Sequence, residues 1–131
     1  MRYTHVAALL AAGIAVGGCS AGPGRASAPA AVPMSLETLA KQTGCTVQVQ
    51  TNAAELRQGY CKTNSSGRYV LLTFPSDKAA KTWFSEARNW GGIYLIGARW
   101  IIVGTDQQLQ NFRSEVGGEI TAGDDHSHHD H

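Results

Sequence analysis

Histidine is missing from segment 35–121 of this 131-residue chain, the part whose apolar residues recur at regular spacings. A histidine base, a serine–histidine pair and a histidine-ligated metal are therefore excluded from that segment. No glycine-rich phosphate cradle appears, because the glycines Gly91-Gly92, Gly97 and Gly104 stand at the ends of predicted elements, where turns explain them. Charged residues make up only 16% of the chain, with a net charge of +1. We expect no nucleic-acid partner, since such proteins carry a basic patch or stripe.

The chain also lacks the run of about 20 apolar residues that crosses a membrane. A shorter run, Val6–Val16, follows Arg2 and ends in small residues, which is typical of a signal peptide over residues 1–18. The run closes on Val16-Gly17-Gly18-Cys19, which resembles the bacterial lipobox. That resemblance implies a lipid on Cys19 and a location on the extracytoplasmic face of the cell membrane. A secreted protein that is cut elsewhere is the alternative.

Cysteine is scarce, at three residues, and an odd number in an exported protein needs an explanation. If Cys19 carries lipid, Cys45 and Cys61 remain as a pair in an oxidising compartment, which favours a disulfide. Closing a loop of about 15 residues contributes about 3 kcal/mol to stability. Two free thiols with a redox function are the alternative, but they lack the C-x-x-C spacing that tunes such a pair.

Residue composition predicts three segments in the rest of the chain: a linker, a folded domain and a tail. In segment 20–34 twelve of fifteen residues are Ala, Gly, Pro or Ser, so we predict that 19–34 comprises the lipidated cysteine and a flexible linker. A folded domain is predicted over 35–121. Residues 122–131 are predicted to be a disordered tail rich in His and Asp.

Apolar periodicity and capping residues predict the element order α-β-β-β-α-β-β-α in the domain. Helices are expected to begin after the N-caps Ser35, Ser76 and Thr105, the last with a capping box. Strands are predicted at 46–51, 56–62, 69–74, 93–96 and 99–103. A two-residue turn at Gly97-Ala98 joins the last two strands.

From Tyr69 onward this order is most of a ferredoxin-like split βαβ unit that lacks its final strand. We expect an α+β fold with a five-stranded, mostly antiparallel sheet, two helices on one face and a short N-terminal helix. The last two helices are expected to share that face, by the right-handed crossover rule. The predicted sheet order is 46–51, 56–62, 69–74, 99–103, 93–96, in which 56–62 fills the place of the missing strand.

Three groups of side chains are candidates for function. Tyr94 and Trp100 lie on strands that are apolar on both faces, so they belong either to the core or to an uncovered, partner-binding face. The tail offers imidazoles that bind Zn²⁺, Ni²⁺ or Cu²⁺, and the candidate ligands are His126, His128, His129 and His131. A solubilising tail without metal is the alternative.

Paired carboxylates are the one remaining catalytic set, since glycosidases need only two. The domain contains Glu37, Glu55, Asp77, Glu86, Asp106, Glu115 and Glu119. Helix N-termini, solvated helix faces and turns account for each of them. Their spacing gives no reason for any two to converge, and we expect no enzymatic activity.

Segment 36–118 resembles small lipoproteins of uncharacterised function from actinomycetes, which are high-GC Gram-positive bacteria. The residues that carry the resemblance are Gly67-Arg68-Tyr69, Trp83, Gly92–Gly97, Arg99-Trp100 and Gly117-Gly118. These motifs are structural, so the resemblance implies a location and no substrate.

Together these features predict a non-enzymatic binding or interaction module, held at the membrane by its lipid, with an unidentified extracytoplasmic partner and no cofactor. A lipoprotein that binds divalent metal through its tail is the first alternative. A small hydrolase with paired carboxylates is the second.

Overall fold

The computed structural model describes residues 28–124, which form an α+β domain on one antiparallel sheet. In this range the elements are α1 (Leu36–Thr43), β1 (Gln48–Asn52), β2 (Arg57–Thr63), β3 (Gly67–Thr73), α2 (Asp77–Ala87), β4 (Ile93–Ile96), β5 (Trp100–Val103), α3 (Asp106–Val116) and β6 (Glu119–Ala122). A 3-10 turn, Arg88–Trp90, follows α2.

The predicted helix starts are confirmed. The hydroxyl groups of Ser35, Ser76 and Thr105 each accept a hydrogen bond from the backbone N–H three residues further on. Thr105 and Gln108 complete the capping box, because the Gln108 side chain accepts from the Thr105 N–H at 2.8 Å. Each cap satisfies a backbone donor that the first helical turn leaves without a partner.

The sheet order is β1-β2-β3-β5-β4-β6. Its first five places agree with the prediction, and β2 does lie beside β3, where a ferredoxin-like sheet has its last strand. The sixth strand is a correction: β6 pairs antiparallel with β4, Leu95 opposite Ile120. Sequence periodicity missed β6 because its four residues contain a single inward apolar side chain, Ile120, after two glycines.

The last two helices do not share a face, and this part of the fold prediction is wrong. Helix α2 packs on one face of the sheet, while α1 and α3 pack together on the other. Both crossovers, β3-α2-β4 and β5-α3-β6, step in the same direction across the sheet, but β3 and β5 run antiparallel. Two right-handed crossovers of this kind must place their helices on opposite faces. The α+β class and the antiparallel sheet are confirmed, but the ferredoxin-like arrangement is not.

Successive side chains of a strand point to opposite faces of the sheet, so the core consists of two clusters, one on each face. On the α1/α3 face, Leu71, Leu95, Trp100 and Ile102 pack beneath the two helices. On the α2 face, the buried side chains are Leu72, Phe74, Ala80, Tyr94 and Ile101. Helix α3 buries three apolar side chains, whereas the only fully buried residue of α2 is Ala80. The α2 face is thus the more thinly covered.

Both predicted domain limits need correction. Residues 29–34 pack on the domain: the Trp100 indole N–H donates to the Val32 carbonyl at 2.9 Å, and Met34 lies against the core. These residues, which were predicted to belong to the linker, are therefore part of the folded domain. At the other end, the Asp124 N–H donates to the Arg88 carbonyl at 2.8 Å, so the fold continues past residue 121.

The β4–β5 turn is shifted by one residue from its predicted position. The Gly97 N–H donates to the Trp100 carbonyl at 2.9 Å, which places Ala98 and Arg99 at the turn. Arg99, with φ 61°, adopts the left-handed conformation that glycine usually supplies. Gly97 is needed for a different reason, because a Cβ there would overlap the Trp100 indole.

Candidate functional site

An apolar groove of about 740 Å³ runs along α2, and we call it the α2 groove. Its floor and walls are mainly apolar, and polar side chains stand along its rim. The lining residues are Glu55, Leu56, Phe74, Ser76, Lys78, Ala79, Thr82, Trp83, Glu86, Ala87 and Trp90. A concave, largely apolar site with a few polar groups is the usual form of a binding site in proteins.

One side of α2 supplies most of the groove. Ala79, Trp83 and Ala87 face inward at helical spacing, while Thr82 and Glu86 lie further out on the same side and are exposed. Leu56, in the β1–β2 loop, and Phe74, at the end of β3, close one end of the groove. Trp83 remains only partly buried, because no other helix or strand of the described part of the chain covers this side of α2.

Trp90 marks the opposite end of the groove. Its side chain is 87% exposed, which is the highest value among the exposed large apolar residues of the described chain. Burying a large apolar side chain is worth about 1.5–3 kcal/mol, and this residue gains little of that within the domain. Exposed tryptophan next to an apolar depression is the residue type that most often dominates binding energy at interfaces.

A ring cluster under the groove holds Trp83 and the turn with Trp90. The Trp83 ring lies 5.9 Å from Phe74 and 6.2 Å from Tyr94, and Phe84 lies 5.1 Å from Tyr94. The Tyr94 hydroxyl lies 3.1 Å from the Ala87 carbonyl oxygen and 2.6 Å from that of Gly91, and shares its proton between them. Burial raises the pKa of Tyr94, so the hydroxyl remains a donor.

The charges at the groove are few and mixed. Glu55 stands beside Leu56, and Lys78 and Glu86 lie on α2; all three side chains are exposed. Within residues 28–124 none of them takes part in an ion pair. The rim therefore offers two carboxylates and one ammonium group to whatever occupies the groove.

The predicted surface residues Tyr94 and Trp100 do not lie on an uncovered face, and that alternative is corrected. Tyr94 is 5% exposed and Trp100 is 0% exposed. They are on opposite faces, Tyr94 under α2 and Trp100 under α1 and α3. Both strands are apolar on both sides because helices cover both sides of the sheet.

The predicted disulfide is confirmed. Cys45 and Cys61 are bonded, with their Cα atoms 5.9 Å apart. Cys45 follows α1, and its N–H donates to the Ala40 carbonyl at 2.9 Å, while Cys61 lies in the middle of β2 and is fully buried. The bond therefore fastens the end of α1 to the sheet, on the face opposite the α2 groove.

The carboxylates are dispersed, with one exception. Glu37 binds Arg57 through two hydrogen bonds of 2.8 Å, and Asp77 lies 3.7 Å from Arg99. The exposed residues Asp106, Glu115 and Glu119 lie in α3 and β6, away from the groove. Glu55 and Glu86, however, line the same groove, a convergence that their spacing in the sequence did not indicate.

Two of the predicted sites lie outside the described residues. These are the lipidation site Cys19 and the tail ligands His126, His128, His129 and His131. Within residues 28–124 no group of three or more His, Cys, Asp or Glu side chains is arranged to hold a metal ion. In the same part of the chain, no helix has both the length and the apolar character needed to cross a membrane.

Sequence reasoning missed the groove and Trp90 itself. The signal was present: Trp90 follows the apolar stripe of α2 and precedes Gly91-Gly92, so it stands where the helix has ended. Leu56 was assigned to the start of a strand, but it lies in the preceding loop and packs against the α2 cluster.

Comparison with known proteins identifies no relative of the chain. No protein-family model matches it, and neither the curated proteins nor the solved structures give a match. The geometry of the α2 groove is therefore the basis for the function proposed below.

The Glu37–Arg57 pair predicts a pH-dependent part of the stability. Hydrogen bonds from Arg57 lower the pKa of Glu37 from 4.5 to about 2. A carboxyl whose pKa is lower in the folded state stabilises the fold above its unfolded pKa, and this stabilisation is lost as pH falls from about 4.5 to about 2. We expect Glu37→Gln to lower the free energy of unfolding by about 0.5–1 kcal/mol at pH 7, as an exposed paired residue does.

Chemical denaturation at pH 7 and at pH 2 measures this difference. The difference between the two proteins should be much smaller at pH 2 than at pH 7, because Glu37 is partly protonated there and its ion pair with Arg57 is weakened. Glu115→Gln is the matched control, since Glu115 is exposed on α3 and forms no ion pair in the described chain. A Glu37→Gln effect that persists undiminished at low pH would show that the carboxylate is not the source.

Proposed function

We propose that the protein is a non-enzymatic binding module, held at the extracytoplasmic face of the cell membrane by a lipid on Cys19. The observation that supports a binding role is the α2 groove, an apolar depression that ends at the 87% exposed side chain of Trp90. Surfaces of this kind are costly to leave in water and mark interaction sites. No cofactor is part of this proposal.

The membrane part of the proposal is supported by the sequence Val16-Gly17-Gly18-Cys19 and its resemblance to the lipobox of actinomycete lipoproteins. Residues 29–34 pack on the domain, so only the nine residues 19–27 separate the proposed lipid from the folded part. Nine residues span at most about 32 Å when extended. The α2 groove would then work within a short distance of the membrane surface.

Replacing Cys19 tests the anchor. In cells of a high-GC Gram-positive host fed a palmitate analogue, the native chain should incorporate label and sediment with membranes. Cys19→Ser should take up no label, because the acceptor thiol is gone. Equal labelling of Cys45→Ser would show that the fold's own cysteines are not the acceptor. Label that persists in Cys19→Ser would contradict the proposal.

Replacing Trp90 tests the groove. A chain of residues 20–131 should bind the neutral apolar probe N-phenyl-1-naphthylamine at dilute protein concentration, with enhanced probe fluorescence. Trp90→Ala should weaken binding by about tenfold, a typical effect for the central residue of a binding site. Val49→Ala is the matched control, because Val49 is 46% exposed on β1 and lies outside the groove. An equal loss of probe binding in both variants would show that the probe does not bind in the α2 groove.

Metal binding by the tail is the second candidate, and one observation favours it. That observation is the sequence of the tail, in which four imidazoles stand beside carboxylates: His126, His128, His129 and His131. Titration of Zn²⁺ or Ni²⁺ should show binding by the full chain that a chain ending at Gly123 lacks. Binding should fall below about pH 6.5, where imidazoles are protonated. Equal binding by the two chains would exclude the tail.

Hydrolysis remains the third candidate, because Glu55 and Glu86 line one groove. Both side chains are exposed, whereas a carboxyl that acts as a general acid near neutral pH is usually held in apolar surroundings. We therefore place these residues in recognition and not in catalysis. Turnover of any substrate that is lost in both Glu55→Gln and Glu86→Gln would overturn this assignment.

A further inference from the structure

One ridge of side chains along the α2 groove is arranged symmetrically about its own midpoint. Phe74, Lys78, Thr82, Glu86 and Trp90 recur at every fourth residue, and all five line the groove. Residues four apart form a continuous ridge on a helix, and Lys78, Thr82 and Glu86 form this ridge on α2. Phe74 precedes the helix at the end of β3, and Trp90 follows it in the 3-10 turn. The sequence of the ridge is apolar, basic, small, acidic, apolar.

Such a ridge is complementary to a second copy of itself. Two antiparallel copies related by a two-fold axis through Thr82 exchange Lys78 with Glu86, because each lies four residues from the axis. The same operation brings Trp90 of one copy toward the Leu56–Phe74 end of the partner's groove, because Phe74 and Trp90 line the groove beyond opposite ends of α2. Ridges of residues four apart interlock in the commonest class of helix packing.

We propose that the occupant of the α2 groove is a second copy of this chain, packed antiparallel along α2 about a two-fold axis at Thr82. The exposed Trp90 of each copy enters the Leu56–Phe74 end of the partner's groove, and two Lys78–Glu86 pairs flank the axis. In a two-fold interface every contact occurs twice, so both tryptophans are buried at once. The mixed charge of the rim, which fits neither a purely acidic nor a purely basic partner, is what this pairing requires.

This inference rests on the proposed function, since it names the partner of the same groove. Anchors in one membrane confine the copies to a shared surface, which raises their effective concentration. A small interface built on one helix face therefore suffices for pairing at the membrane, even where the chain is monomeric in dilute solution.

Disulfide trapping across the axis tests the arrangement. Full-length Thr82→Cys, reconstituted at a low protein-to-lipid ratio in phosphatidylglycerol–phosphatidylcholine vesicles and mildly oxidised, should form a covalent dimer on non-reducing electrophoresis. A residue on a two-fold axis meets its own copy, so no second engineered cysteine is needed. Ser114→Cys is the matched control, because Ser114 is exposed on α3, on the opposite face, and is confined to the membrane equally.

Charge exchange then identifies the partner as a second copy. In the Thr82→Cys background, Lys78→Glu and Glu86→Lys should each weaken pairing by about tenfold, because each creates two like-charge contacts. The double variant Lys78→Glu/Glu86→Lys should restore it, since the exchanged charges again meet their opposites. Lys81→Glu, on the other side of α2, should have little effect.

Three outcomes overturn the inference: equal trapping of Thr82→Cys and Ser114→Cys, no trapping of either, or no rescue by the double variant. None of these outcomes affects the probe-binding test of Trp90→Ala, which still shows whether the groove binds a different partner. Loss of probe binding by the groove in the native chain would instead remove the proposed function itself. Normal thermal unfolding of every variant excludes misfolding as the cause of lost cross-linking.

Discussion

The handedness of two crossovers is the constraint on which this structure depends. Because β6 adds beside β4 and not beside β3, the crossover through α3 steps across the sheet in the same direction as the crossover through α2. The strands that start them run antiparallel, and right-handed connections then place the two helices on opposite faces. Helix α1 joins α3, so within residues 28–124 α2 is the one helix on its face of the sheet.

One helix cannot cover six strands. Strands lie about 4.8 Å apart, so the sheet is about 24 Å across, while a helix with its side chains is about 10–12 Å wide. The opposite face of the sheet is covered by α1 and α3, by the Cys45–Cys61 bond and by segment 29–34, which is hydrogen-bonded to Trp100. On the α2 face the uncovered flank of the helix becomes the groove, and Trp90 stays outside the core. The groove is thus a consequence of topology.

Much of the fold was predictable because it depends on local chemistry. The caps Ser35, Ser76 and Thr105 follow from side chains close in sequence. The disulfide follows from the number of cysteines, and the order of five strands follows from the short turns and the βαβ pattern. The face of α3 was not predictable by this route. The face of α3 depends on the position of β6, and β6 was missed because its four residues carry one inward apolar side chain. Since the connection through α3 is right-handed, the place of β6 in the sheet decides which face α3 covers.

The site was harder to predict than the fold for a related reason. Tyr94 and Trp100 were candidates for a binding surface because their strands are apolar on both sides. That pattern instead means that helices cover both faces of the sheet. Trp90 was missed, because a tryptophan that follows the apolar stripe of a helix looks like a core residue in the sequence, whereas α2 ends at Ala87 and Trp90 lies in the 3-10 turn after it. Glu55 and Glu86 come together only through tertiary contacts between the β1–β2 loop and α2.

The central claim is that the α2 face is open while the opposite face is closed, and the three tryptophans report on it directly. Solvent paramagnetic relaxation of the indole N–H groups, measured by NMR on the full chain in dilute detergent solution with a soluble gadolinium chelate, distinguishes them. The account predicts strong broadening of Trp90, intermediate broadening of Trp83 and protection of Trp100, whose indole N–H donates to Val32. A Trp90 signal as protected as that of Trp100 would show that the groove is filled within the chain and would contradict the account.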